Sequence, residues 1–145
     1  MAGVQRFSEK ACGRGIDGER LVFAHRLQPS EDLARYRAAD LFLDALPYNA
    51  HTTAADALWA GLPLLTCRGE TLVGRVAASL LSAVGPPELV TTSLDDHEWL
   101  AIELARDAKR LAAIKANLAA NRTKNAAVRH KSLHAPHGSG FCRDA

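Results

Sequence analysis

The residues best suited to chemistry in this chain lie in the segment Tyr48-Asn49-Ala50-His51-Thr52-Thr53-Ala54-Ala55-Asp56. It follows a short apolar run, Leu41-Phe42-Leu43, that reads as a strand, and it opens a stretch that reads as a helix. A strand, a turn with clustered hydroxyls and a histidine, then a helix start is where α/β proteins bind phosphate. Free backbone N–H groups and the positive end of the helix dipole point at the anion there. His51 can add a donor, Thr52 and Thr53 can add hydroxyls, and Asp56 lies one turn further on. A carboxylate in that place can accept hydrogen bonds from ribose hydroxyls, as acidic residues do in dinucleotide sites. The same residues also have a purely structural reading. Thr53 and Asp56 fit a Thr-x-x-Asp capping pattern, worth about 1 kcal/mol with no ligand present. On the residues alone the two readings weigh equally.

Elements that alternate between short apolar runs and helical stretches must position this segment. Val4 to Arg14 reads as a short helix closed by Gly13 or Gly15. Leu21-Val22-Phe23 reads as a strand of the buried type. Pro29 suits the first turn of a helix that carries Leu33 and Tyr36 toward a core. The helix from Thr53 ends at Gly61, with Pro63 just beyond, and Leu64-Leu65-Thr66 forms the next strand. Thr71 to Val84 reads as a helix stopped by Gly85-Pro86-Pro87, and Glu88-Leu89-Val90 as a short fourth strand. Ser93 to Asp96 reads as a capping box ahead of a helix with Trp99, Ile102 and Leu104, and Lys109 to Ala120 continues helical. Trp59, Trp99 and Phe42 are expected in the core. Strands alternating with helices argue an α/β fold: a Rossmann-like parallel sheet with helices on both faces. Such a sheet binds ligands beyond the carboxyl ends of its strands, which is where Tyr48 to Thr53 falls.

Composition narrows the function classes. The chain has 145 residues, with 48% hydrophobic and 23% charged, in the range of an ordinary globular domain. No apolar stretch is long enough to span a bilayer, and the first residues lack the apolar core of a signal peptide, so the cytoplasm is the expected location. Cys12, Cys67 and Cys142 fit neither a disulfide framework nor a zinc site, and no metal is expected. The net charge of +2 divides unevenly. From Asn121 onward Arg122, Lys124, Arg129, Lys131 and Arg143 face only Asp144, giving +4 there and −2 elsewhere. A basic tail can touch nucleic acid. Without apolar periodicity, this one reads as a disordered segment and not as a nucleic-acid binder. The expected organisation is a helical lead-in over 1–20, a half-domain over 21–122, and the tail over 123–145, native or the product of a truncated or frame-shifted gene.

The segment Asn49-Ala50-His51-Thr52-Thr53, with Asp56, Leu58-Trp59-Ala60-Gly61-Leu62-Pro63, Gly69-Glu70-Thr71 and Arg75-Val76-Ala77, resembles the C-terminal catalytic region of the O-linked N-acetylglucosamine transferases and SPINDLY-like glycosyltransferases. The resemblance runs from about Leu21 to about Arg122. It implies one half of a two-Rossmann GT-B glycosyltransferase. It further implies that His51, Thr52 and Thr53 cradle the diphosphate of a UDP-sugar and that Asp56 holds the ribose. Arg35, which as a helical arginine would ordinarily be solvated, aligns with a basic position of the nucleotide pocket. The chain departs from the pattern three residues earlier, where Asp32 stands in place of a common histidine. An acid at that position weakens a diphosphate site if it faces the ligand. Arg75, in the helix after Gly69-Glu70-Thr71, has two readings: part of another anion site at that helix start, or, the favoured one, a structural ion pair with Glu70 or Glu103.

The implied reaction moves N-acetylglucosamine from UDP-GlcNAc to serine or threonine hydroxyls of a protein acceptor, inverting the anomeric centre without a metal. The family's N-terminal catalytic half and its tetratricopeptide repeats are absent from the 145 residues, so they are the expected partners, and the isolated chain is expected to be inactive. Two other readings stay open: a non-catalytic nucleotide-binding fragment, and a structural interaction module with no ligand.

Overall fold

In the computed structural model the described residues are 2–25 and 28–124. The chain divides into two compact units, Met1–Asp32 and Leu33–Ala145. The expected tail over 123–145 lies almost wholly outside the described residues.

The first unit holds helix α1 (Ala2–Cys12), in agreement with the helix expected from Val4. A turn follows in which Gly15 takes φ +73°, a left-handed conformation that glycine adopts without strain. A short 3-10 turn, Gly18–Arg20, is capped by the Asp17 carboxylate, which accepts from the Glu19 N–H at 3.0 Å. The run Leu21-Val22-Phe23 is not a strand. Val22 is 88% exposed and Phe23 41%. A strand is stabilised by hydrogen bonds to a neighbour, and a three-residue apolar run carries no preference strong enough to replace one.

Helix α2 (Pro29–Arg37) contains the boundary between the units, and Pro29 opens it as expected. The second unit then runs β1 (Phe42–Leu43), α3 (Thr52–Ala60), β2 (Leu64–Cys67), α4 (Val76–Val84), β3 (Val90–Thr91), α5 (Leu94–Arg106) and α6 (Ala108–Lys124). The strands form a parallel sheet in the order β1-β2-β3, with Phe42 opposite Leu64 and Thr66 opposite Val90. Two successive βαβ units in chain order make one wing of a doubly wound sheet. All four residues of β2 are buried. Alternate side chains of a strand face opposite sides, so both faces of the central strand are covered. The α/β, Rossmann-like expectation therefore holds.

The core gathers Leu58 from α3, Leu64 and Leu65 from β2, Leu81 and Val84 from α4, and Leu100, Leu104, Ile114 and Leu118 from the last two helices. Each fully buried leucine contributes about 1.5–3 kcal/mol relative to an exposed one. Gly61 ends α3 in the left-handed region at φ +89°, and its N–H bonds back to the carbonyls of Ala57 and Leu58, as its place before Pro63 indicates.

Three boundaries and one core assignment differ from expectation. Helix α4 starts at Val76 and not near Thr71, because Gly69 to Gly74 fold into a closed turn. The fourth apolar run divides into a 3-10 turn, Pro87–Leu89, and then β3. Helix α3 begins at Thr52, one residue early, which places His51 and not Thr53 at the N-cap. Trp99 is 61% exposed while Leu100 and Leu104 are buried. Successive helical residues lie about 100° apart, so the side of α5 that buries Leu100 leaves Trp99 outside. Phe42 and Trp59 are half-buried, Phe42 packing against the core with a tilted ring contact to Tyr36 at 6.4 Å.

Candidate functional site

The link between β1 and α3 begins with an aspartate that the sequence analysis did not single out. Asp44 is 7% exposed, yet its carboxylate is fully engaged. Oδ1 accepts from the backbone N–H of Ala45 at 2.9 Å and of Ala50 at 2.7 Å. Oδ2 accepts from the Thr66 hydroxyl, on β2, at 2.7 Å. The Thr66 carbonyl in turn accepts from the Thr91 hydroxyl of β3 at 3.3 Å. A buried charge is tolerated where hydrogen bonds compensate its desolvation, and here three donors converge on one carboxylate. Between Asp44 and His51 the chain makes a turn that includes the cis Leu46–Pro47 bond and the buried Asn49, whose Nδ2 donates to the Ala45 carbonyl at 3.3 Å.

His51 emerges from this turn half-buried. Its ring stacks on Tyr48 with centroids 5.0 Å apart and planes 18° from parallel. Its Nε2 lies 3.4 Å from the Val73 carbonyl oxygen. A carbonyl only accepts, so this contact needs the proton on Nε2. At that length the bond is weak and open to exchange for a better acceptor. Stacking fixes the ring and the long contact leaves its donor available.

Helix α3 starts immediately after. The first bond of its ladder runs from Ala55 N–H to the His51 carbonyl, at 3.0 Å, and no side chain caps the end. The N–H groups of Thr52, Thr53 and Ala54 precede that bond and point out of the helix start. Thr52 and Thr53 are exposed, and Asp56 is half-buried. The self-capping reading of Thr53 with Asp56 is therefore overturned: Thr53 is already inside the helix, where its hydroxyl no longer occupies the capping position. His51, Thr52, Thr53 and Asp56 thus share one loop and the first turns of one helix. Arg35 stands half-buried on α2, and its membership of the site rests on the resemblance.

Arg75 was expected to form an ion pair. Its Nε instead donates to the Gly69 carbonyl at 3.2 Å and closes the turn ahead of α4. A groove of about 550 Å³ lies beside this turn, lined by Arg68, Leu72, Arg75, Val76, Ser79 and Val90 among others, and it contains none of the candidate residues. The groove is mainly apolar, whereas the α3 start carries the exposed donors. His97, half-buried on α5, has Nε2 3.3 Å from the Leu65 carbonyl. Among the described residues no three His, Cys, Asp or Glu side chains gather as a metal site, and no helix is long and apolar enough to cross a membrane.

Comparison with known proteins gives this arrangement a context. The model of glycosyl transferase family 41 matches residues 1–135. A UDP-N-acetylglucosamine–peptide N-acetylglucosaminyltransferase of Caenorhabditis elegans is 37% identical over 123 residues, 85% of this chain and 11% of that protein. The probable transferase SEC of Arabidopsis thaliana is 36% identical over 83% of this chain and 12% of its own length. Among solved structures, a lysine-to-methionine mutant of the Thermobaculum terrenum O-GlcNAc transferase superposes with a TM-score of 0.78 at 35% identity, over 83% of this chain and 23% of that one. The chain therefore spans about a tenth of the length of these curated relatives. Its α/β wing is that of an O-GlcNAc transferase-like, GT-B glycosyltransferase region. The chain belongs to glycosyl transferase family 41.

Proposed function

We propose that this chain is the C-terminal, nucleotide-sugar-binding part of a protein O-GlcNAc transferase. Its donor is UDP-GlcNAc and its acceptor a protein serine or threonine hydroxyl. One observation carries the reading: the N-terminus of α3 is uncapped, open to solvent and flanked by a stacked histidine with an exchangeable donor. In the transfer, UDP leaves and negative charge builds on its phosphates. The N–H groups of Thr52 and Thr53, their hydroxyls and His51 Nε2 are preorganised donors for that charge, as in an oxyanion hole. Phosphate oxygens are stronger acceptors than an amide carbonyl, so His51 gains by leaving Val73 for the ligand. Asp56, on the next turn of the same helix, accepts from the ribose hydroxyls, and Arg35 adds positive charge to the nucleotide pocket.

A transferase must hold donor and acceptor within reacting distance and exclude water, and that positioning supplies much of the rate. The relatives' names attach the activity to chains many times longer than this one. The working enzyme in this reading includes an N-terminal catalytic half and repeat domain, in the cytoplasm, and the 145-residue chain binds UDP without transferring sugar. A radiolabelled UDP-GlcNAc assay on the purified chain, with a serine- and threonine-rich peptide, tests this. Labelled peptide from the chain alone contradicts it. Label that appears only after adding the N-terminal half of a related enzyme supports it.

A further inference from the structure

We infer that Asp44 and Thr66 are positioning residues for the diphosphate cradle: through a buried carboxylate–hydroxyl pair they hold the loop that aims His51 and the α3 N-terminus. The inference rests on the reading of that helix start as a phosphate site, and it assigns work to two residues that touch no ligand. Asp44 follows directly on β1, and its Oδ1 grips the Ala50 N–H at 2.7 Å, one residue before His51. Its other oxygen is tied to Thr66 in the adjacent strand at 2.7 Å. Thr66 is 0% exposed, and its carbonyl is held by Thr91 on the third strand. The carboxyl ends of all three strands are thus joined by one hydrogen-bonded chain that terminates at the candidate loop.

The arrangement has a reason beyond local stability. A phosphate-binding loop must keep its N–H groups unpaired until the ligand arrives, so it cannot be fixed by bonding those groups to the protein. Fixing it from behind, through Ala45 and Ala50, leaves Thr52, Thr53 and Ala54 free. A carboxylate suits this task because one group can accept from two backbone donors and a hydroxyl at once. Charge assistance makes those bonds stronger than a neutral acceptor would.

Four variants of the full chain separate positioning from general stability. Asp44→Ala leaves two backbone donors and a hydroxyl without their partner and is expected to show the largest loss, of folding as well as of binding. Thr66→Val keeps the shape and removes only the hydroxyl. It is expected to remain folded, to speed hydrogen exchange at the Ala50 amide, and to lower UDP affinity about 5- to 30-fold. Asp44→Asn keeps Oδ1 for the two N–H groups, and its new NH2 can donate to a Thr66 hydroxyl turned round, so its loss is smaller. Thr66→Ser restores the donor and returns both exchange and affinity toward wild type. Ala50 exchange and UDP affinity that are unchanged in a folded Thr66→Val variant overturn the inference, as does a Thr66→Ser variant no better than Thr66→Val. A wild-type chain that binds no UDP sinks the phosphate reading. The Ala50 exchange comparison needs no ligand and still decides whether the pair holds the loop.

Discussion

The two strand-to-helix links of the sheet share a topology and differ in what they leave open. Both follow a parallel strand at its carboxyl end, and neither α3 nor α4 has its N-terminus capped by a side chain. Ahead of α3, the first helical residues Thr52 and Thr53 are exposed and the loop is held from behind by Asp44. Ahead of α4, the first turn begins Val76-Ala77-Ala78, with Ala77 fully buried and Ala78 only 7% exposed. That loop closes on itself: Gly69 N–H to the Gly74 carbonyl at 2.7 Å, Gly74 N–H to the Thr71 hydroxyl at 3.1 Å, and Arg75 to Gly69. The dipole is the same at both helix starts. Accessibility and residue type therefore decide which one can receive an anion. The two links meet where His51 Nε2 approaches the Val73 carbonyl at 3.4 Å.

The contrast can be broken most severely at His51. His51→Ala removes the donor beside the α3 start, and UDP affinity should fall roughly 10- to 150-fold, the worth of a charge-assisted hydrogen bond. Uridine should bind the variant and wild type alike in calorimetry, and an equal loss for uridine would place His51 elsewhere. The next effect lies in the closed loop. A Cβ on Gly74 would meet the Gly69 Cα at 3.1 Å and the Thr71 hydroxyl at 3.2 Å. Gly74→Ala should therefore lower stability by about 1–3 kcal/mol in denaturant titration, through overpacking against backbone. An unchanged midpoint would show that the turn is not closed as described.

Smaller effects sharpen the comparison. Under the proposed ribose contact, Asp56→Asn should weaken UDP by about 0.5–1.5 kcal/mol and leave pyrophosphate unaffected. Equal losses for both ligands argue against a ribose contact. Arg75→Ala should be the mildest. It loses one exposed hydrogen bond to Gly69, worth under about 1 kcal/mol of stability, and should not alter UDP affinity. A clear drop in UDP affinity would move the anion site toward α4.

Local signals carried much of this architecture. Gly61 before Pro63 announced the end of α3, the apolar run at Leu64 the central strand, and the spacing of Leu111, Ile114 and Leu118 the buried side of α6. Each depends on neighbours within one or two turns. The misses depend on partners far along the chain or on competition within a turn. Leu21 to Phe23 is apolar enough for a strand but has none of the pairing a strand requires. Thr71 has good helical neighbours, yet its hydroxyl accepts from Gly74 and stabilises a turn instead. The candidate residues His51-Thr52-Thr53 were legible as a motif. What holds them was not, since Asp44 and Thr66 are 22 positions apart and only the sheet register brings them together.

In the proposed function UDP is received at the start of α3. An amide-resolved NMR titration of the 15N-labelled chain with UDP locates the contact residue by residue. Thr52, Thr53 and Ala54 should show the largest shifts, with Ala50 following, while Val76, Ala77 and Ala78 stay in place. Shifts confined to the Arg68–Ser79 groove, with the α3 start unmoved, would contradict it.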